Sequence, residues 1–316
     1  MDRIISMRHS YGEALLDCGI KNKKIVVVVA DVSSSVKTDF FEKRFPERFF
    51  NVGIAEQCLV NVGAGLSLEG FIPFVNTFAG LLLRSFEQIR TCVGYAETNV
   101  KLVGGYAGIS DYKDGATHYS ICDIAVMRSI PNITVVVPAD ATETKKLVCE
   151  IVKLSGPVYL RISRAETPVI FGDNHKVVVG KGQIIREGDD LTIIAVGVMV
   201  GRSLLAANIL EQEGVKARVI NMPTIKPFDK YLIIETAQKT GAIVTAEEHS
   251  VIGGLGSAVS ECLSQSYPVP IEFIGIKDLF VETGTSHEYL LDHFGLSVND
   301  IIEAAKKVIK RKGNIK

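Results

Sequence analysis

The chain has 316 residues, 47% hydrophobic and 22% charged, enough for a sizeable buried core and about two domains of roughly 150 residues. Its 35 basic and 36 acidic residues are well mixed, giving a formal net charge of -1 without the basic stripe of a sequence-independent nucleic-acid binder. No apolar run reaches about 18 residues and the start, Met1-Asp2-Arg3-Ile4-Ile5-Ser6, lacks the apolar stretch of a signal peptide, so neither a membrane span nor secretion is expected, and the expected location is cytoplasmic.

In chain order, short β-branched runs alternate with helix-length amphipathic segments. The runs are 25–30, 100–103, 133–137, 191–195, 217–220, 242–245 and 271–274. Continuously apolar runs of this length fit strands buried on both faces, hence largely parallel sheets with helices on both sides. After the first run, a loop containing Gly53 leads into an apolar helix, 58–68, that stops at Glu69-Gly70. Asp140 followed by Glu143 has the spacing of a capping box, and the helix it opens ends near Ser155-Gly156-Pro157. Turn formers crowd the stretch between Arg164 and Gly188, placing a linker at 171–185 between an α/β domain at 1–170 and a second at 186–316. In the second domain, helices are expected at 198–213, closed by Gly214, and at 229–239, closed by Thr240-Gly241. The basic tail 306–316 reads as a solvated last helix turn favoured by the helix dipole. The six cysteines form no C-x-x-C pair and read as reduced, mostly buried and not metal ligands.

Glycine groups such as Gly253-Gly254-Leu255-Gly256 and Gly63-Ala64-Gly65 lack the full dinucleotide spacing and read as tight helix–strand packing. No phosphate-binding G-x-x-x-x-G-K-[ST] occurs, and His287 and His293 lack a helical metal-ligand spacing. Two segments carry more. Glu56 heads the apolar helix; spacing alone favours an ordinary first-turn acid, but the apolar setting would bury it, raise its pKa and let it protonate a ligand nitrogen. The cluster Asp111-Tyr112-Lys113-Asp114-Gly115-Ala116-Thr117-His118 follows a parallel strand, where α/β folds build sites, and brings acid, glycine, hydroxyl and imidazole within five residues. A plain polar turn fits the same residues equally well.

Asn51–Gln57 in sequence, Asn76-Thr77-Phe78, Asp114 to His118, Ile130-Pro131-Asn132, Val137-Pro138-Ala139-Asp140, Glu247-Glu248-His249 and Gly253 to Gly256 occur in the order seen in transketolases. The chain resembles that family's pyrimidine-binding and C-terminal domains over nearly its whole length. It lacks the Gly-Asp-Gly…Asn motif through which the family binds the cofactor's diphosphate and metal. The resemblance therefore implies the C-terminal subunit of a split enzyme that transfers a two-carbon ketol unit between sugars, as in pentose phosphate metabolism. It implies thiamine diphosphate as cofactor, with Mg²⁺ (or Ca²⁺) held by a separate N-terminal subunit, and paired subunits in a heterotetramer. By the same resemblance Glu56 would bond the aminopyrimidine ring nitrogen and favour its imino tautomer. His118 would handle protons at the reacting hydroxyls, Asp114 would read a substrate hydroxyl, and Phe78, Leu81 and Asp31 would line the cofactor. Arg8, Ser35 and Arg164 would hold the sugar's terminal phosphate.

Five positions depart from the family pattern. Tyr106 stands where many members have a phosphate-contacting histidine, and Leu81 where a stacking ring is usual. Ala55 and Gln57 flank Glu56 in place of Arg and His, and Ala116 replaces a common proline. These changes leave the distal end of the substrate open. A pyruvate-using thiamine enzyme of the deoxyxylulose-phosphate synthase or 2-oxoacid dehydrogenase kind is the near alternative. A nicotinamide oxidoreductase and a non-catalytic assembly subunit are the alternatives from other classes.

Overall fold

A computed structural model describes residues 3–313; Met1, Asp2 and residues 314–316, which include the ends of the start and basic-tail segments read above, lie outside the described residues. The first half of the chain contributes β1 (Ile4–Ser6), β2 (Ile25–Val29), β3 (Phe49–Asn51), β4 (Ile72–Phe78), β5 (Lys101–Gly105), β6 (Thr134–Val136), β7 (Val158–Arg161) and β8 (Glu166–Pro168). The second half contributes β9 (Gln183–Arg186), β10 (Leu191–Ala195), β11 (Ala217–Asn221), β12 (Thr224–Lys226), β13 (Ile243–Ser250) and β14 (Ile271–Ile276). Each apolar run expected to be a strand overlaps one, and β5, β11, β13 and β14 extend one to five residues past theirs.

The larger sheet has the order β12-β6-β7-β5-β4-β2-β3 and the second β14-β13-β10-β11-β9. Pairings are parallel except β12 on β6 and β9 on β11; β1 and β8 form a separate antiparallel pair. This is the largely parallel, two-sheet α/β arrangement expected. Alternation along β2 sorts the helices. Val27 faces the helices Met7–Lys21 and Ala141–Lys153 through Leu15, Leu147 and Val148, whereas Val28 faces Leu59 and Val60 of the helix Glu56–Leu68. Burying each such aliphatic side chain stabilises the fold by roughly 1.5–3 kcal/mol before entropy is counted. Among the described residues no helix is long and apolar enough to cross a membrane.

Local signals act as expected where they have partners. Asp140 accepts from the Glu143 amide at 2.7 Å, and the Glu143 carboxylate accepts from the Ala139 amide at 2.7 Å. Gly241 closes the helix Lys230–Thr240 at φ +63°, a left-handed conformation that suits glycine. A Cβ at Gly63 would lie 2.4 Å from Val75, and one at Gly256 2.4 Å from Phe273, so these glycines serve close packing.

Two expectations need correction. The cysteines are all free but not mostly buried: only Cys18 and Cys262 are, while Cys58 and Cys122 are exposed. The helix Cys58 sits on presents one face to the outside, and apolar sequence does not choose which face is covered. The basic tail is also more than a solvated turn. Lys312 Nζ donates to the carbonyls of Asp190 at 3.1 Å and Thr240 at 2.7 Å, and Arg311 donates to the Ile271 carbonyl at 2.8 Å. These cations fasten the last helix, Val298–Gly313, to the ends of the second sheet.

Candidate active site

Five adjacent parallel strands, β7-β5-β4-β2-β3, end side by side on one edge of the larger sheet. Arg164 follows β7, Tyr106 follows β5, Phe78 ends β4, Asp31 follows β2 and Glu56 follows β3. Residues far apart in sequence are thus brought to the edge where open α/β sheets bind ligands.

Glu56 is 5% exposed and starts its helix, as the apolar surroundings require. The Arg84 guanidinium, 60% exposed, reaches its carboxylate at 3.4 Å. Gln57 holds Arg84 in turn, donating to its carbonyl at 3.3 Å. Asp31 is exposed with φ +55°; its amide donates to Asn51 Oδ1 at 3.1 Å, and Asn51 Oδ1 also accepts from Gly53, at 3.0 Å. Asn51 thereby fixes the loop that leads to Glu56. A left-handed aspartate locked by a side-chain amide is a strained backbone of the kind that gathers at functional sites.

Phe78 and Tyr106 stack with centroids 4.0 Å apart and planes at 18°. With Val29, Val36 and the partly buried Val32, Phe49 and Leu81 they form a small apolar cluster. His118 is half-buried, its ring 6.2 Å from that of Phe78, with Thr117 Oγ1 3.0 Å from its Nδ1. Asp114 is exposed on the same loop. A buried acid, flat apolar walls and a neighbouring imidazole suit a planar, nitrogen-bearing ring and a hydroxylated substrate. Among the described residues, no three His, Cys, Asp or Glu side chains come together as a metal-ligand group.

Arg8 reaches the same edge from the helix Met7–Lys21. Its Nη1 donates to the Tyr106 hydroxyl at 2.8 Å and to the Ser35 carbonyl at 2.7 Å, so Ser35 takes part through its backbone. Arg164 lies 5.4 Å from the Tyr106 ring centroid and 5.5 Å from that of Tyr112. Its Nη1 is 3.4 Å from Asp111 Oδ1. Asp111 is 1% exposed. Burial, then its neighbour Asp114, push its carboxyl up to about 7 against the pull of Arg164 and Arg8.

The C-terminal half supports this edge. Glu248 Oε1 accepts from the Ile109 amide and from His287 Nε2, both at 2.8 Å, fixing the start of the loop that carries Asp111 and His118. A Cβ at Gly108, φ +67°, would lie 2.3 Å from the Glu248 carboxyl, so only glycine lets the two approach. Arg161 donates to Asp123 at 2.7 Å and to the Glu248 carbonyl at 2.9 Å, all buried. Glu247 caps the helix Leu255–Ser264 through the Leu255 and Gly256 amides, at 2.7 and 2.8 Å. Glu247 and Glu248 thus spend their carboxylates on holding a helix and a loop in place.

Arg8, Ser35, Phe78, Leu81, Tyr106, His118 and Arg164 are joined by contact or through one apolar cluster. Glu56 and Asp31 stand on the neighbouring strand ends, and Asp114 remains on the exposed part of its loop. Asp111 and Tyr112 belong to the run 111–118 but had no role assigned from sequence, and Arg84 was not singled out. Asp111 lies in the very run that drew attention, and its signal was an acid three residues before another acid. A cleft of about 460 Å³ lined by Thr167, Arg202, His287 and Asp292 lies elsewhere and contains none of the candidates.

Residues 3–169 match the family model of the transketolase pyrimidine-binding domain and residues 180–301 that of the transketolase C-terminal domain. The chain is 41% identical to the 6-deoxy-6-sulfo-D-fructose transketolase subunit SqwH of Clostridium sp. (strain MSTE9), covering 97% of this chain and 95% of that one. It is 40% identical to an apulose-4-phosphate transketolase subunit of Phocaeicola vulgatus, covering 98% and 99%. A solved structure described as a split gene transketolase, inactive beta4 tetramer, is 47% identical, with a TM-score of 0.90 over 98% of this chain and 99% of that one. The transketolase of Leishmania mexicana, at 22% identity and a TM-score of 0.83, shares the fold over 46% of its length. With both domains matched and relatives of its own length, this chain belongs to the transketolase family as a split, C-terminal-type subunit of a thiamine enzyme.

Proposed function

We propose that this chain is the ring-binding half of a two-chain transketolase, moving a two-carbon ketol unit from a ketose to an aldose. The observation that carries the reading is Glu56, a buried carboxylate at a helix head on the ligand-binding edge of a parallel sheet. When bound, thiamine diphosphate supplies the nucleophilic carbon and the electron sink for cleaving the bond next to the ketose carbonyl. The chain's part is to seat and tune. Glu56 holds the proton at the ring nitrogen, with Arg84 as the counter-charge beside it. Phe78, Leu81 and Asp31 sit where they would line the ring. In this reading His118 passes protons at the substrate hydroxyls and Asp114 binds one of them. Arg8, Ser35, Tyr106 and Arg164 form the end that receives the far terminus of the sugar.

The diphosphate and its Mg²⁺ (or Ca²⁺) fall to a partner subunit in this reading, with the chains paired in a heterotetramer. The relatives named for a sulfonated and a phosphorylated sugar support a sugar with an anionic terminus as the substrate class.

The test is Glu56→Gln in the assembled pair with thiamine diphosphate and Mg²⁺. Ketol transfer should drop by about 10²–10⁴-fold while the subunits still assemble, because the amide cannot manage the ring proton. Turnover equal to the wild type would end this reading, and carbon dioxide release from pyruvate by the wild-type pair would replace ketol transfer with decarboxylation.

A further inference from the structure

We propose that Asp111 sets the charge of the distal substrate subsite, so that the site prefers a sugar with a singly charged far end to one ending in a phosphate dianion. The proposal deepens the reading of Arg8, Tyr106 and Arg164 as the distal end and rests on it.

Arg8 and Arg164 approach Tyr106 from two elements, one through the hydroxyl at 2.8 Å and the other over the ring at 5.4 Å. Asp111 enters the same space from the loop after β5, with Oδ1 3.4 Å from Arg164 Nη1. Its second oxygen, Oδ2, is buried without a hydrogen-bond partner, and so are Nε of Arg8 and Nε of Arg164. Three orphaned polar atoms around one spot mark a place for a polar ligand, since buried polar groups are otherwise almost always paired.

The charge balance then selects the ligand. Two guanidinium groups face the Asp111 carboxylate, with Asp114 and Glu166 as further acids nearby, so with Asp111 ionised the surplus positive charge is at most one unit. A phosphate ester carries nearly two negative charges at neutral pH, a sulfonate or carboxylate one. The dianion would place surplus negative charge beside a carboxylate that has no water to screen it, where Coulomb energies are several times those in water. The other groups facing Asp111 do not relieve this. Asp114 adds negative charge from the same loop, Glu166 lies near Arg8, and Tyr112 and Tyr119 are phenols. Because burial and Asp114 push the Asp111 carboxyl up to about 7, a dianion could enter by first protonating it, with an affinity that falls about tenfold per pH unit above that value.

The experiment compares two ligands of like shape on the full-length chain: methanesulfonate, singly charged, and methylphosphonate, doubly charged at about pH 8.5. Calorimetric titration of the wild type should show the sulfonate binding more tightly. Asp111→Asn should strengthen methylphosphonate binding by about tenfold or more and methanesulfonate binding by only about threefold, because repulsion from the lost charge scales with the ligand's charge. Asp111→Ser, checked like the first variant by circular dichroism for native folding, should shift the preference the same way. A wild type that favours the phosphonate, a preference unmoved in both variants, or no binding of either ligand would overturn the proposal. The measurement uses neither cofactor nor partner, so failure of the ketol-transfer reading shows separately, in the Glu56→Gln assay.

Discussion

Lys101 opens β5 without touching solvent, its ammonium donating to Asn99 Oδ1 at 2.7 Å and to the carbonyls of Gly156 and Leu154 at 2.8 and 2.9 Å. Burial pulls its pKa down to about 7. The unfolded chain holds this proton up to about pH 10.4, so between about 7 and 10.4 folding releases it and stability rises with pH. Lys101→Met strands three acceptors and should cost about 1–3 kcal/mol in urea unfolding, and the deficit should widen between about pH 7 and pH 9.5. A deficit that narrows on raising the pH would contradict the sign. The site was partly legible at this scale. Glu56 could be read as an acid heading an apolar helix, and the order of the motifs around it gave its role. Asp111 and Arg84 could not, because their meaning lies in what they face: a guanidinium 53 residues away and a carboxylate 28 residues away.

The loop 106–118 takes its shape from an element of the other half. Glu248, near the end of β13, anchors it at the Ile109 amide and is itself held by His287. Glu248→Ala should raise the KM for the sugar by about tenfold and lower kcat less, because the lost anchor is at Ile109, at the start of the loop beside Tyr106, whereas His118 at its far end and Glu56 keep their own supports. Steady-state kinetics of the assembled pair would reveal this split, and an equal loss in both parameters would argue against a positioning role. Among elements, those buried along their whole length were the legible ones: β2 is an unbroken apolar run, and β10 and β11 are mostly apolar and buried throughout. β4 was not, because Pro73 and the buried Asn76 and Thr77 interrupt its pattern where the strand approaches the site. Asn76 is tied by the Tyr11 hydroxyl and its Nδ2 donates to the Phe74 carbonyl at 2.8 Å, a satisfied polar pair that a hydropathy pattern scores as a break. β7 ends on Arg161, whose burial is neutralised by Asp123.

At the scale of the molecule, the two halves do not separate at the turn-rich stretch. β12, from residues 224–226, pairs antiparallel with β6 and completes the first-half sheet. The core follows it: Val135 and Val137 share one apolar cluster with Ile220, Met222 and Ile225. Glu143 binds Asn221 Nδ2 at 2.7 Å across the same boundary. Unfolding in urea should therefore be a single transition, with circular dichroism and tyrosine fluorescence coinciding. Two resolved steps would show that the shared strand and core do not couple the halves. The borrowed strand also dictates an order of events during synthesis. A nascent chain paused before residue 226 leaves the rim of β6 without its neighbour, an open template for pairing with other polypeptides, so the ribosome must deliver a good part of the second half before the first is sealed.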